Sequence, residues 1–213
     1  MNGSGTLIDQ DIKLTDFTGV SVNGPFNADL VQTDAFQVIV NTDENLTNRV
    51  QATLNDGTLV VGIEAPATFF PSSLKIKIGM PRLYKLTLSG GAKATLTGFK
   101  STFNLGLVSS DGSTLSGSLD AGNCDFNISD SSQVNLKGSA LGLDLTASGT
   151  SKLNLAAFAV NTAKLNLSQG SEATLNLNGR TDVRLADASK IYYTGNPTFN
   201  NTLISGGSFM KHQ

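Results

Sequence analysis

Apolar and polar residues alternate with a period of two along short runs of this chain, the pattern of strands with one buried face. Leu86 and Leu88, Phe126 and Ile128, Leu145 and Ala147, Leu165 and Leu167, and Val183 and Leu185 each bracket one polar residue. A phrase of four mostly small residues follows each run. A second alternating pair follows the phrase: Ala94 and Leu96, Val134 and Leu136, Leu153 and Leu155, Ala173 and Leu175, Ile191 and Tyr193. The phrase reads Ser89-Gly90-Gly91-Ala92, Ser110-Asp111-Gly112-Ser113, Ser129-Asp130-Ser131-Ser132 and Ser148-Gly149-Thr150-Ser151. It continues as Ser168-Gln169-Gly170-Ser171, Ala186-Asp187-Ala188-Ser189 and Ser205-Gly206-Gly207-Ser208. Successive copies start 21, 19, 19, 20, 18 and 19 residues apart.

A supersecondary unit recurring at a fixed short period marks a solenoid. The pattern predicts an all-β, parallel β-helix with coils of about 19 residues. One such coil cannot bury its own inward residues and is stable only between neighbours. Stacking places equivalent residues ~4.8 Å apart in ladders, with the backbone hydrogen bonds running between coils. The small phrase is then a corner where bulky side chains would collide, with Ser132, Ser151 and Ser171 stacked. Gly98, Gly117, Gly138, Gly179 and Gly195 lead into a looser third side. Phe99, Leu119, Leu141, Phe158, Leu177 and Phe199 are its predicted inward contacts, and Cys124 joins Leu105 and Leu143 in an inward column.

Residues 6–88 carry the same strand chemistry with a less regular period. Asn55-Asp56-Gly57 between two apolar runs predicts a hairpin, and Asp43 is the predicted N-cap of one or two helical turns up to Val50. This region reads as the opening coils plus an insertion that covers one end. Residues 89–213 are the regular repeats, and the expectation is a single domain over residues 1–213.

Composition narrows the function classes. Charged residues make up 15% of 213 and the net charge is −2, so there is no basic patch for nucleic acid and no polybasic tract for a membrane surface. No apolar run approaches the roughly 18 residues of a membrane span. With one cysteine and one histidine, His212 near the end, neither a disulfide framework, a His-based metal site nor a Ser-His-Asp triad has its parts.

The corner phrase at this period, together with the run from Phe17 to Leu30, Asp43-Glu44-Asn45-Leu46, Gly57-Thr58-Leu59-Val60-Val61 and the run from Ala188 to Pro197, resembles the "head GIN" family of autotransporter-adhesin-like bacterial proteins. The resemblance covers nearly the whole chain. It implies a right-handed β-helix and an exported protein, often lipid-anchored and commonly from Bacteroidetes-like bacteria. It therefore implies a periplasmic or outer-membrane-surface location, a signal peptide removed, and membrane attachment only through an anchor outside this chain. The family brings no catalytic residues to carry over.

Stacking turns scattered charges into columns. Asp125, Asp144, Lys164 and Asp182 form one predicted outward column; Lys152, Glu172 and Lys190 form another, alternating in sign. Both read as solvated faces. Asp111 and Asp130 occupy the second corner position on adjacent coils, where two carboxylates could act as a glycosidase pair or grip Ca²⁺. A structural corner is the favoured reading, since stacking makes such pairs without selection for chemistry. The apolar loop Ala65–Pro71 places Phe69 and Phe70 either on the surface as a contact tip or in the open end of the core as a plug, the plug being favoured. Phe69, Phe70, Asp111 and Asp130 are thus candidate contact residues. No catalytic, cofactor or metal site is predicted. The function expected is a non-enzymatic exported scaffold or adhesin that presents polar ladders to a surface glycan or protein. The alternatives are a carbohydrate-active β-helix enzyme, and an apolar-ligand protein if the Phe69-Phe70 loop lines a pocket.

Overall fold

The recurring phrase is a tight turn closed by a hydrogen bond from its fourth amide to its first carbonyl: Ser113 to Ser110 at 3.1 Å, Ser132 to Ser129 at 3.1 Å, Ser171 to Ser168 at 3.2 Å. Its two central residues lie at positive φ, 57° and 69° at Asp111 and Gly112, 55° and 62° at Asp130 and Ser131. Glycine reaches that region freely and Asp tolerates it, which accounts for most of what fills those positions. Thr150 and Ala188 adopt it too, at 63° and 61°, a local strain that the stacked neighbours must hold.

The fourth position is buried in every copy from Ala92 to Ser189. The hydroxyls of Ser151, Ser171 and Ser189 donate to the carbonyl three residues earlier, at 2.6, 2.8 and 2.6 Å. Those of Ser113 and Ser132 have no partner among the described residues. Small size is therefore the first requirement of the corner, and a hydroxyl the second.

The computed structural model describes residues 2–64 and 70–213, and the turns join strands into a β-solenoid of about seven turns. The opening strands are β1 (Leu7–Asp11), β2 (Gly19–Asn23), β3 (Asn27–Gln32) and β4 (Gln37–Asp43), then a short 3₁₀ helix, Glu44–Arg49. The hairpin pair β5 (Val50–Asn55) and β6 (Thr58–Ile63) follows, turning at Asp56 and Gly57 as the sequence indicates, and then β7 (Leu74–Met80). The regular coils use β8 (Lys85–Ser89), β9 (Lys93–Lys100), β10 (Leu105–Ser109), β11 (Thr114–Ile128), β12 (Gln133–Ala147) and β13 (Lys152–Leu167). They end with β14 (Glu172–Leu177), β15 (Arg180–Leu185), β16 (Lys190–Thr194), β17 (Thr198–Ile204) and β18 (Phe209–His212).

One side of the solenoid stacks β6, β2, β8, β10, the second halves of β11, β12 and β13, then β15 and β17, all parallel. A second side stacks β7, β3, β9, the first halves of β11, β12 and β13, then β14, β16 and β18. The coils do not follow chain order at the N-terminal end. The β2–β3 coil lies between β6–β7 and β8–β9, so the chain lays a later coil outside an earlier one before resuming. Antiparallel β5 covers the edge of β6, and antiparallel β4, itself paired to β1, covers β7. The insertion thus shields one end, since an open parallel edge would otherwise invite pairing with another chain. At the other end Tyr193, Phe199 and Met210 pack against the core as partly buried residues.

The inward columns are those the alternation indicates. Leu86, Leu107, Phe126, Leu145, Leu165 and Val183 align across successive coils and are all buried. The third side departs from expectation at one residue. Leu141 is 62% exposed and Ala140 takes the inward place at 4%. The alternation that begins at Leu136 runs through Ala140 to Gly142 within β12 and shifts frame there, since Gly142 and Leu143 are both buried, which leaves Leu141 on the outward face.

Asp43 precedes the 3₁₀ helix, but its carboxylate does not cap it. It is buried instead against the N-terminal segment, accepting the amides of Gly5 at 2.8 Å and Ser72 at 2.7 Å. Burial alone would raise its pKa. The amides of Gly5 and Ser72, with the Ser72 hydroxyl and the Ser73 amide, outweigh that and hold the carboxyl below its ordinary 3.8. A lowered folded value means the carboxylate stabilises the cap above pH 3.8 and that this is lost as pH falls through the lowered value. Protection of the Gly5 and Ser72 amides, taken relative to the intrinsic exchange rate at each pH, is expected to fall on acidification below that point while the Ser151 corner stays protected. In Asp43→Asn the two amides should exchange fast at every pH. Unchanged protection of Gly5 and Ser72 through the acid range would contradict the assignment.

Candidate functional site

Stacking arranges the outward residues as the sequence indicates. Gly106, Asp125, Asp144, Lys164 and Asp182 align in one column, and Gln133, Lys152, Glu172 and Lys190 in another on the second side. Beside the latter runs a neutral ladder, Ser116, Asn135, Asn154 and Thr174. Lys164 relieves the acidic column by reaching Asp144 at 3.4 Å. Asp182 is held by the side chains of Asn200 and Asn201 at 3.1 and 2.7 Å and by Arg180 at 3.7 Å. Those two amides, and then the Arg180 charge against some burial, set its carboxyl below the ordinary range.

Along the acidic column the surface carries a shallow, open depression. A cleft of about 640 Å³ runs over five neighbouring strands, from Asn104 and Gly106 on β10, past Asn123 and Asp125, to Arg180 and Asp182 on β15. Its floor is the outer surface of the inward column Leu105, Cys124, Leu143 and Ala163. Cys124 is a packed core residue, 2% exposed. Burial pushes its thiol up to about 12, so it stays protonated and is no nucleophile.

At the β10 end the cleft meets a second hollow of about 450 Å³ lined by Tyr84, Thr102, Phe103, Asn104 and Gly106. Tyr84 and Phe103 pack edge to face, centroids 5.3 Å apart. The Arg82 guanidinium lies 5.5 Å from the Phe103 centroid, yet Phe103 stays 49% exposed. Sequence reasoning missed this aromatic end. The available signal was the long first interval, 21 residues from Ser89 to Ser110, with Phe103 inside it.

The other candidate contacts fare differently. Asp111 and Asp130 do occupy adjacent corners, joined by the Gly112 amide to the Asp130 carbonyl at 2.8 Å. Each carboxylate accepts the hydroxyl of its preceding serine, Ser110 at 3.1 Å and Ser129 at 2.7 Å. Among the described residues no group of three or more His, Cys, Asp or Glu side chains is placed to hold a metal ion. Titration with millimolar Ca²⁺ is therefore expected to leave the melting midpoint flat. A saturable rise that disappears in Asp130→Asn would show a calcium site, because a ligand of the native state must stabilise it. Phe70 is 66% exposed, with its backbone bridged to Asn2, so it does not plug the core. Strands β4 and β5 pair along the edges of β7 and β6 at that end. Phe69 lies outside the described residues. No described helix is long and apolar enough to cross a membrane.

Residues 16–197 match a family described as "Putative auto-transporter adhesin, head GIN domain". Among curated proteins none matches the sequence. The fold is that of a "putative adhesin" from Bacteroides fragilis, with a TM-score of 0.93 at 19% identity over 100% of both chains. It is shared with a "putative adhesin" from Parabacteroides merdae, TM-score 0.84 at 17% identity over 100% of this chain and 98% of that one. It is also shared with a "putative lipid binding protein" from Parabacteroides distasonis, TM-score 0.77 at 15% identity over 100% and 99%.

Proposed function

The chain belongs to the family of auto-transporter-adhesin head GIN domains, and on that premise we propose that it is a non-enzymatic contact protein whose polar ladders hold a surface glycan or protein. The observation that carries the proposal is the register. Outward residues of similar kind, such as Ser116, Asn135, Asn154 and Thr174, repeat on successive parallel strands at ~4.8 Å. A repeating ladder suits a repeating partner through many small contacts. Catalysis asks for a few unlike groups converging on one point, and Asp111 and Asp130 are each engaged in their own turn. On this reading the protein works outside the cytoplasm, in the periplasm or at the outer-membrane surface.

The test is a glycan array probed with the purified chain, alongside extracted surface proteins. Saturable binding to one class is expected, weak for the free chain and much stronger when copies are crowded on a bead. Absence of binding to either panel, crowded or free, would overturn the proposal.

A further inference from the structure

The cleft along β10 to β15 has the parts of a saccharide site, and we propose that it takes a neutral linear oligosaccharide lying along the solenoid axis, with one terminal ring stacked on Phe103. This rests on the reading of the chain as a contact protein and assigns that contact to one face.

Three independent features point there. The first is shape: the cleft crosses five strands, a span of ~19 Å from four inter-strand steps. Its direction is that of the ladders, and the rise per coil is close to the rise per ring of an extended β-linked glycan. A chain of several rings therefore meets a similar set of side chains at each ring.

The second is the aromatic end. Phe103 is on a loop between β9 and β10, held by its amide on the Ser101 hydroxyl at 3.0 Å and by the Gly122 amide on its carbonyl at 2.9 Å. Tyr84 buttresses the ring by its edge. Arg82 lies over the ring, and the part of it that stays exposed offers apolar surface to the axial C–H groups of a pyranose ring.

The third is charge. The cleft's cations are engaged within the protein: Lys164 with Asp144 at 3.4 Å and Arg180 with Asp182 at 3.7 Å. Arg82 lies over Phe103. Asp125, in the middle of the column, enters no ion pair and no side-chain hydrogen bond among the described residues. A free carboxylate accepts two vicinal hydroxyls of a sugar well, and it repels a uronate. Asn104 and Asn123 beside it supply amide donors and acceptors, although the Asn104 carbonyl oxygen already holds the Asn123 amide at 3.0 Å. The selection is therefore for neutral rings over acidic ones.

The experiment titrates the chain, by calorimetry and by amide NMR shifts, with β-1,4-linked hexasaccharides of glucose and of N-acetylglucosamine and with a hexagalacturonate. At least one neutral hexasaccharide is expected to bind, moving the amides of Asn104, Asn123 and Asp125, while the uronate does not. Phe103→Ala and Asp125→Ala should each weaken binding about tenfold. Phe103→Tyr should retain it, and Asp34→Ala, on the exposed turn between β3 and β4, should change nothing. Stronger binding of the uronate, or neutral binding indifferent to both cleft variants, would overturn the assignment. If the glycan array is positive while the cleft variants bind as well as the parent, the contact reading stands and the cleft is not its site. If the array, the surface proteins and the hexasaccharides all fail to bind, both fall together.

Discussion

Gly138→Ala is expected to be the most damaging single-methyl substitution in the solenoid, at about 4 kcal/mol. Gly138 lies at φ 121°, outside the regions an L-residue occupies comfortably. A Cβ there would sit 2.0 Å from the Leu119 carbonyl oxygen of the preceding coil. That oxygen is backbone in a laddered strand and cannot swing away as a side chain could. Relief would require the two coils to part, which breaks the hydrogen bonds on either side of the site. Gly112 is the control, at φ 69° with no atom within 4 Å of a Cβ. Gly112→Ala should cost only the left-handed penalty, about 1 kcal/mol, as the natural Ala188 at the matching corner position indicates. Urea unfolding with a constant slope measures both. Equal losses for the two variants would show that coil contact does not determine the cost.

Phe126→Ala is expected to cost about 3–5 kcal/mol. The ring is fully buried in the inward column between Leu107 and Leu145. Its removal leaves a cavity between coils that are both held by hydrogen bonds to fixed neighbours, so the gap cannot close by collapse. In a quasi-one-dimensional stack the loss falls on two interfaces at once. Asn127, the next residue, is exposed on the opposite face of the strand, and Asn127→Ala should fall within about 0.5 kcal/mol of the parent. Thermal or urea midpoints for the pair test the alternation directly. A comparable loss in both would mean that the inward and outward faces are wrongly assigned.

Much of the coil was legible in the sequence because its two strongest constraints act on single residues. The turn requires positive φ at two consecutive positions and a small buried side chain at the fourth, which leaves Gly, Asp and Ser as the marks seen at Asp111-Gly112-Ser113 and its copies. The period-2 frame then fixed the inward columns and placed Cys124 among them. Leu141 was misread because the period-2 frame shifts beside it inside β12, where Gly142 and Leu143 are both buried, and no residue type announces that shift. The order of the coils at the N-terminal end was also hidden. A β2–β3 coil has the same apolar pattern whichever neighbours cover it, so stacking between β6–β7 and β8–β9 leaves no local trace.

Charge columns were readable from the period alone, and Asp125, Asp144, Lys164 and Asp182 align as expected. The shallow depression along them was not, because residues from five successive strands line it and no one of them marks it. Phe70 illustrates the same limit. An apolar loop residue looks like core material by composition, and only the antiparallel cover of β4 and β5 over the end makes a plug unnecessary.

If this solenoid holds a partner without transforming it, as proposed, polysaccharides incubated with it should stay intact. Neutral and acidic polymers, with and without Ca²⁺, would be assayed for new reducing ends and for unsaturated products. The expected result is an intact polymer of unchanged length, including any polymer the chain binds. Product that forms reproducibly and vanishes in Asp111→Asn, Asp130→Asn or Asp125→Asn would contradict the account and make the protein an enzyme.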